Sequence, residues 1–106
     1  TQNCNRKTHM SFQEIINSDQ PVLVDFYATW CGPCKAQAPV LEEVARRLEG
    51  QARIIKVDVD KNPAAAQQYR VQGVPTLIVF KNGKVMWRQS GLVQANQLEQ
   101  TLRQFV

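Results

Sequence analysis

Long apolar runs are missing from this chain. No stretch approaches the roughly 20 residues that cross a bilayer as a helix, so no membrane span is expected. No segment has the layout of a secretory signal. A removed signal leaves no trace, so the cytoplasm is the expectation while an exported compartment stays open. Histidine is nearly absent: His9 is the only one, and Cys4 is the only cysteine outside the Cys31/Cys34 pair. A structural zinc site needs four such ligands, which argues against a metal. Three cysteines are also too few for a disulfide-stapled scaffold. A dense basic patch is lacking too. The net charge is +4, but the lysines and arginines are scattered, with only Arg6-Lys7 and Arg46-Arg47 adjacent, so no nucleic-acid surface is expected. There is no internal repeat and no low-complexity segment. An initial methionine is absent: the chain starts at Thr1, and Met10 is a candidate native start, with His9-Met10 a cloning junction. Residues 1–10 are therefore expected to be a flexible extension, in which Cys4 is either a dispensable thiol or an intermolecular pairing partner.

What remains fits one compact domain over residues 11–106, because 106 residues are too few for two cores. Ser11-Phe12-Gln13-Glu14 has the form of a capping box and opens a short helix with Phe12, Ile15 and Ile16 on its apolar face. Asp19-Gln20-Pro21 ends it and launches a strand, Val22–Tyr27. A second helix runs from Pro33 to Gly50, with Ala36, Val40, Leu41, Val44 and Leu48 on one side and Pro39 expected to kink it. Residues 53–60 alternate as a strand. Asn62-Pro63 reads as a cap with proline at the first helical position, opening a helix to about Tyr69. Thr76–Phe80 reads as a buried strand, and Asn82-Gly83 as a tight hairpin returning along Lys84–Ser90. A last helix from about Ala95 buries Ala95, Leu98, Leu102 and Phe105. This order predicts an α/β fold with a mixed sheet of four to five strands and helices on both faces.

The chemistry lies in Trp30-Cys31-Gly32-Pro33-Cys34, where the first strand gives way to the second helix. A thiol at a helix start meets unpaired backbone N–H groups and the positive end of the helix dipole, and both favour its thiolate. A second thiol one turn later can displace whatever the first has captured. The arrangement suits disulfide exchange, with Cys31 as nucleophile and the more buried Cys34 as resolving thiol; a structural disulfide or half a zinc site are the plainer alternatives. Asp25 breaks an otherwise apolar strand. Buried, it would have a raised pKa and exchange protons near neutrality, taking one from Cys34 through water; alternatively it caps or hydrogen-bonds backbone.

Taken together, Val24-Asp25-Phe26, Trp30-Cys31-Gly32-Pro33-Cys34-Lys35, Pro39, Val57-Asp58-Val59-Asp60, Gly73-Val74-Pro75-Thr76-Leu77, Phe80-Lys81-Asn82-Gly83 and Gly91 closely resemble the thioredoxin family, from about Ser11 to Phe105. The resemblance implies the thioredoxin fold, a general protein-disulfide reductase activity and a cis Val74-Pro75 peptide. It implies that Lys56 is the charge partner of Asp25, against the alternative of a solvated strand lysine. Trp30, Gly32, Pro33, Val74, Pro75 and Gly91 are implied as a flat apolar rim that binds extended substrate peptides, although Trp30 could instead be core. No bound cofactor is implied, because the electrons reside on the sulfur pair. The implied partners are disulfide-containing proteins and a donor, a flavin-dependent thioredoxin reductase, acting on a monomer.

Two departures stand out. Asn3–Met10 is polar and lacks alternation where the family has its first strand, so four strands are expected. Ser90 stands where the family often has a more apolar residue, beside the rim glycine. Trp87 reads as sheet packing rather than a second binding spot, and Asp58 and Asp60 as turn chemistry rather than a cation site. A non-catalytic binding subunit using the same rim, and an oxidase or isomerase of an exported compartment, are the rival functions.

Overall fold

A computed structural model describes residues 11–106. The expectations placed on residues 1–10, including Cys4, His9 and Met10, lie outside the described residues. The elements are α1 (Phe12–Ile16), β1 (Val22–Tyr27), α2 (Gly32–Arg47), β2 (Arg53–Asp58), α3 (Pro63–Gln68), β3 (Thr76–Lys81), β4 (Lys84–Ser90) and α4 (Ala95–Arg103). Among the described residues there are four strands, in the order β2-β1-β3-β4. The β1–β2 pair is parallel, joined by the α2 crossover, and β3 runs antiparallel to both β1 and β4. The expected mixed sheet is therefore present.

Strand β1 lies inside the sheet, and Val22 through Phe26 are fully buried. Alternation sends Val22, Val24 and Phe26 to one face, with Ile78 and Phe80, under Ile16, Phe12 and Tyr69 from α1 and the end of α3. Leu23 takes the other face with Leu77 and Val79, under Leu41 and Val44 of α2, its C-cap Leu48, and Leu98 and Leu102 of α4. A run apolar at nearly every position is thus the signature of a strand covered on both sides. The lone acid in that run, Asp25, pairs with Leu77 and Lys56 across the sheet and faces α2.

Local signals act largely as expected. Ser11 Oγ accepts the Glu14 N–H at 3.1 Å and Glu14 accepts the Ser11 N–H at 3.0 Å, closing the capping box. The hairpin turn has Asn82 at φ 54° and Gly83 at φ 79°, the positive pair that matches strand twist. Four expectations need correction. Helix α2 ends at Arg47, not Gly50, because the Gln51 and Ala52 N–H groups both turn back to the Leu48 carbonyl. Its buried stripe is Cys34, Gln37, Leu41 and Val44, continued by the C-cap Leu48, while Ala36 is exposed. Strand β2 stops at Asp58, whose Oδ1 accepts the Asp60 and Lys61 N–H groups and folds the chain into a turn. Asn62 precedes α3 without capping it: its side chain donates to the Asp58 carbonyl instead. Pro39 lies within α2.

A Cβ at Gly83 would make only ordinary contact, 3.7 Å from Asn17 Oδ1, so any cost there comes from the backbone conformation. Gly83→Ala is expected to destabilise the fold by about 1–2 kcal/mol, the cost of a left-handed φ for a residue with a Cβ. A lowered urea midpoint checks this, and an unchanged midpoint contradicts it.

Candidate active site

The sulfur pair sits where β1 leads into α2. The Cys31 N–H turns back to the Ala28 carbonyl at 3.2 Å, and Cys31 takes an extended conformation (φ −93°, ψ 117°) as the N-cap of α2. Its side chain does the capping: Sγ accepts the Cys34 N–H at 3.1 Å. Cys31 and Cys34 are joined as a disulfide, with Cα atoms 5.3 Å apart. The expected difference in exposure is absent, since each residue is 4% exposed. Capping turns the Cys31 side chain inward, where the pair packs with Ala28 against Tyr27, Val59 and Val74. The two residues differ in their surroundings instead. Cys31 Sγ holds the backbone N–H and lies 3.6 Å from the Val74 carbonyl oxygen. Cys34 lines an open cleft of about 370 Å³ with Tyr27, Ala28, Thr29, Lys35, Ala38 and Lys56.

Residues named from sequence as the rim gather around Cys31. The Val74-Pro75 peptide is cis. The Gly91 N–H donates to the Pro75 carbonyl at 2.9 Å, and Gly91 has φ 92°, a conformation that favours glycine. Gly32 and Pro33 are exposed and Val74 is half-buried, whereas Pro75 is buried and adds backbone rather than surface. Trp30 is 70% exposed, which removes the core alternative. Its indole N–H donates to Asp60 Oδ2 at 2.9 Å. Asp58 makes the turn expected of the acidic pair, and Asp60 fixes the tryptophan. Trp87 packs half-buried against the α2 side of the core, as expected of sheet packing.

Asp25 is fully buried, and neither carboxylate oxygen has a hydrogen-bonding partner among the described residues. The capping alternative therefore falls away. Burial pushes its pKa from the ordinary 3.8 up to about 6, and the nearby Lys56 charge offsets only part of that rise. Lys56 sits opposite Asp25 in the β1–β2 register, but it makes no ion pair with it. Its Nζ lies over the Tyr27 ring, 4.7 Å from the centroid. It acts on Asp25 through space, from the rim of the cleft that Cys34 also lines. No group of three or more potential metal-ligating side chains occurs among the described residues.

One residue of the site escaped sequence reasoning. Gln37, one turn beyond Cys34, is fully buried and bonds both backbone groups of Val93, donating to its carbonyl and accepting its N–H at 2.9 Å each. The signal was its place in the stripe Cys34-Gln37-Leu41-Val44-Leu48, at helical spacing.

Comparison with known proteins agrees with this geometry. The family model Thioredoxin matches residues 3–104. A thioredoxin-like protein of Synechocystis sp. is 50% identical over 102 residues, covering 95% of this chain and 97% of its own length. Thioredoxin 1 of Nostoc sp. is 48% identical, with 85% of this chain and 84% of the relative covered. Chloroplastic thioredoxin Y of Oryza sativa subsp. japonica is 45% identical over 92% of this chain, which spans 58% of that longer protein. Among solved structures, a crystal structure of chloroplastic thioredoxin z, described as defining a novel type-specific target recognition, superposes with a TM-score of 0.75. It shares 37% identity over 82% of this chain and 79% of its own. The chain belongs to the thioredoxin family of thiol–disulfide oxidoreductases, with Cys31–Cys34 as its redox-active pair.

Proposed function

We propose that this chain is a general protein-disulfide reductase in which Cys31 attacks and Cys34 resolves. The observation that carries this reading is the Cys31 sulfur capping its own helix, with the Cys34 N–H at 3.1 Å. On reduction, the same hydrogen bond is charge-assisted when Cys31 is a thiolate, and the dipole of the sixteen-residue α2 adds to it. Both effects lower the Cys31 pKa, and the thiolate is the form that attacks.

The Cys31 thiolate attacks one sulfur of a substrate disulfide. The substrate S–S bond breaks, one substrate thiolate leaves, and a mixed disulfide forms on Cys31. Cys34 then loses its proton to the Asp25 carboxylate through a water molecule, and its thiolate attacks the Cys31 sulfur. The mixed disulfide breaks, the second substrate thiolate leaves, and Cys31–Cys34 is oxidised as the substrate gains two electrons. A pKa of about 6 suits Asp25 to this task, because the group is largely ionised at neutral pH yet remains a usable base. Lys56 limits the rise in that pKa. Trp30, Gly32, Pro33, Val74, Pro75 and Gly91 receive the substrate backbone, which suits targets of varied sequence.

Family membership implies disulfide-bearing protein substrates and a reductase as donor. We take the donor to be a flavin-dependent thioredoxin reductase, the working state to be a cytoplasmic monomer, and the sulfur pair to be the whole redox equipment. A second reading, a reductase of restricted targets, is favoured by the rim around Gly91, where polar Ser90 and exposed Leu92 flank the glycine. The similar chloroplastic thioredoxin z, described with a type-specific target recognition, fits that reading as well.

In a cell extract, Cys34→Ser is expected to hold target proteins in mixed disulfides that dithiothreitol releases, and Cys31→Ser to hold none. Equal trapping by both variants would overturn the assignment. A broad set of trapped proteins supports the general reductase, and a few recurrent ones the restricted reading.

Asp25 leaves a second, pH-dependent mark. Its folded pKa stands above its unfolded one, so its ionisation opposes folding. Its contribution to stability is fully present below about pH 4, the ordinary carboxylate range, and is lost as pH rises through the folded value. For the oxidised protein, urea unfolding is expected to show a loss of about 2–3 kcal/mol between these limits that Asp25→Asn lacks. Parallel pH profiles for the two proteins would contradict a buried, unpartnered carboxylate.

A further inference from the structure

The segment between β4 and α4 carries the outer part of the rim, and it is pinned at both ends. At its start, Ser90 Oγ lies 3.1 Å from Thr76 Oγ1, and Thr76 donates to the Gly73 carbonyl at 2.6 Å. The Thr76 proton is thus committed, so Ser90 is the donor to Thr76. The Gly91 N–H reaches the Pro75 carbonyl next to this chain of bonds. At the far end, Val93 is buried beyond the last residue of β4, so no strand partner meets its backbone. Both of its polar groups go to the Gln37 side chain. Between the pins, Leu92 is 45% exposed.

The geometry points to Gln37 as a positioning residue for substrate docking: through Val93 it fixes the Gly91–Leu92 backbone at a set distance from the sulfurs. The inference rests on the rim reading above. Its physical basis is that Gln37 and the Cys31–Cys34 pair belong to the start of one helix, so a tie at Gln37 refers the loop to the same rigid body as the reacting atoms. The amide has the donor and acceptor needed to close both Val93 bonds, a pairing that an apolar side chain cannot make. With an apolar residue at 37, a buried N–H and a buried carbonyl stand unpaired. The loop must then shift to find water, and Leu92 shifts with it. A small disulfide that needs no docking does not sense that shift; a folded protein disulfide does.

The test compares Gln37→Met with the unaltered protein on oxidised insulin and on a small aromatic disulfide. For insulin, KM is expected to rise about tenfold with kcat within about twofold, while the rate with the small disulfide is unchanged, the pattern of lost binding rather than lost chemistry. Gln37→Glu supplies a variant that keeps the shape. Its protonated carboxyl donates to the Val93 carbonyl and accepts its N–H as the amide does, whereas the ionised form cannot donate. Its insulin KM, relative to the unaltered protein at each pH, is expected to be near one at low pH and to climb as the pH rises. Trp30→Ala serves as the control for the rim itself. If it raises the insulin KM while Gln37→Met leaves it unchanged, the role of Gln37 is wrong and the rim stands. If neither variant changes KM, the rim reading falls and the inference with it. If Gln37→Met slows the small disulfide as much as insulin, the residue supports the sulfurs rather than docking, and the proposal is wrong.

Discussion

A single hydrogen bond organises this molecule: the Cys34 N–H meeting the Cys31 sulfur at 3.1 Å. A helix start leaves N–H groups without intrahelical partners, and oxygen side chains commonly satisfy them. Here sulfur takes that place, so the reactive atom doubles as a structural cap. The consequence for chemistry is direct. A negative charge on Cys31 strengthens the cap, and the fold thereby favours the nucleophilic form. Proline in the first turn costs nothing, because its missing N–H is among those that α2 leaves unused.

The rest of the fold delivers the other groups to that helix start. A central strand covered on both faces forces Asp25 into a setting without hydrogen-bond partners, and desolvation outweighs the Lys56 charge in setting its pKa. The exposed lysine instead rests over the Tyr27 ring. Surface ion pairs such as Arg47–Glu99 and Arg103–Glu99 join α2 to α4 and brace α4 itself, but pairs of this exposed kind contribute little each. The buried Gln37–Val93 pairing does more to set the loop, because its backbone groups have no water to fall back on.

Much of this was legible from sequence because the relevant signals are local. The capping box at Ser11, the doubly apolar run of β1 and the Asn82-Gly83 turn each fix their element through neighbours in the chain. Cys31, Cys34 and Asp25 were legible for a related reason: each violates the pattern of the element that holds it. Legibility failed where a residue is defined by distant partners. Ala36 was assigned to the buried face and Gln37 overlooked, because polarity pointed outward while the actual partner, Val93, lies far along the chain. The Trp30–Asp60 bond escaped for the same reason, and with it the means of holding an exposed tryptophan in place. The equal burial of the two cysteines was also hidden, since only the inward turn of the capping side chain reveals it.

The two sulfurs are equally covered yet electrostatically unequal. The most direct measurement is an NMR titration of the cysteine β-carbons in the reduced protein, which assigns ionisation to each thiol separately. The Cys31 carbon is expected to report a thiolate forming below the ordinary thiol pKa of about 8.5, with Cys34 ionising at higher pH. Two cysteines titrating together near the ordinary value, or Cys34 ionising first, would contradict it.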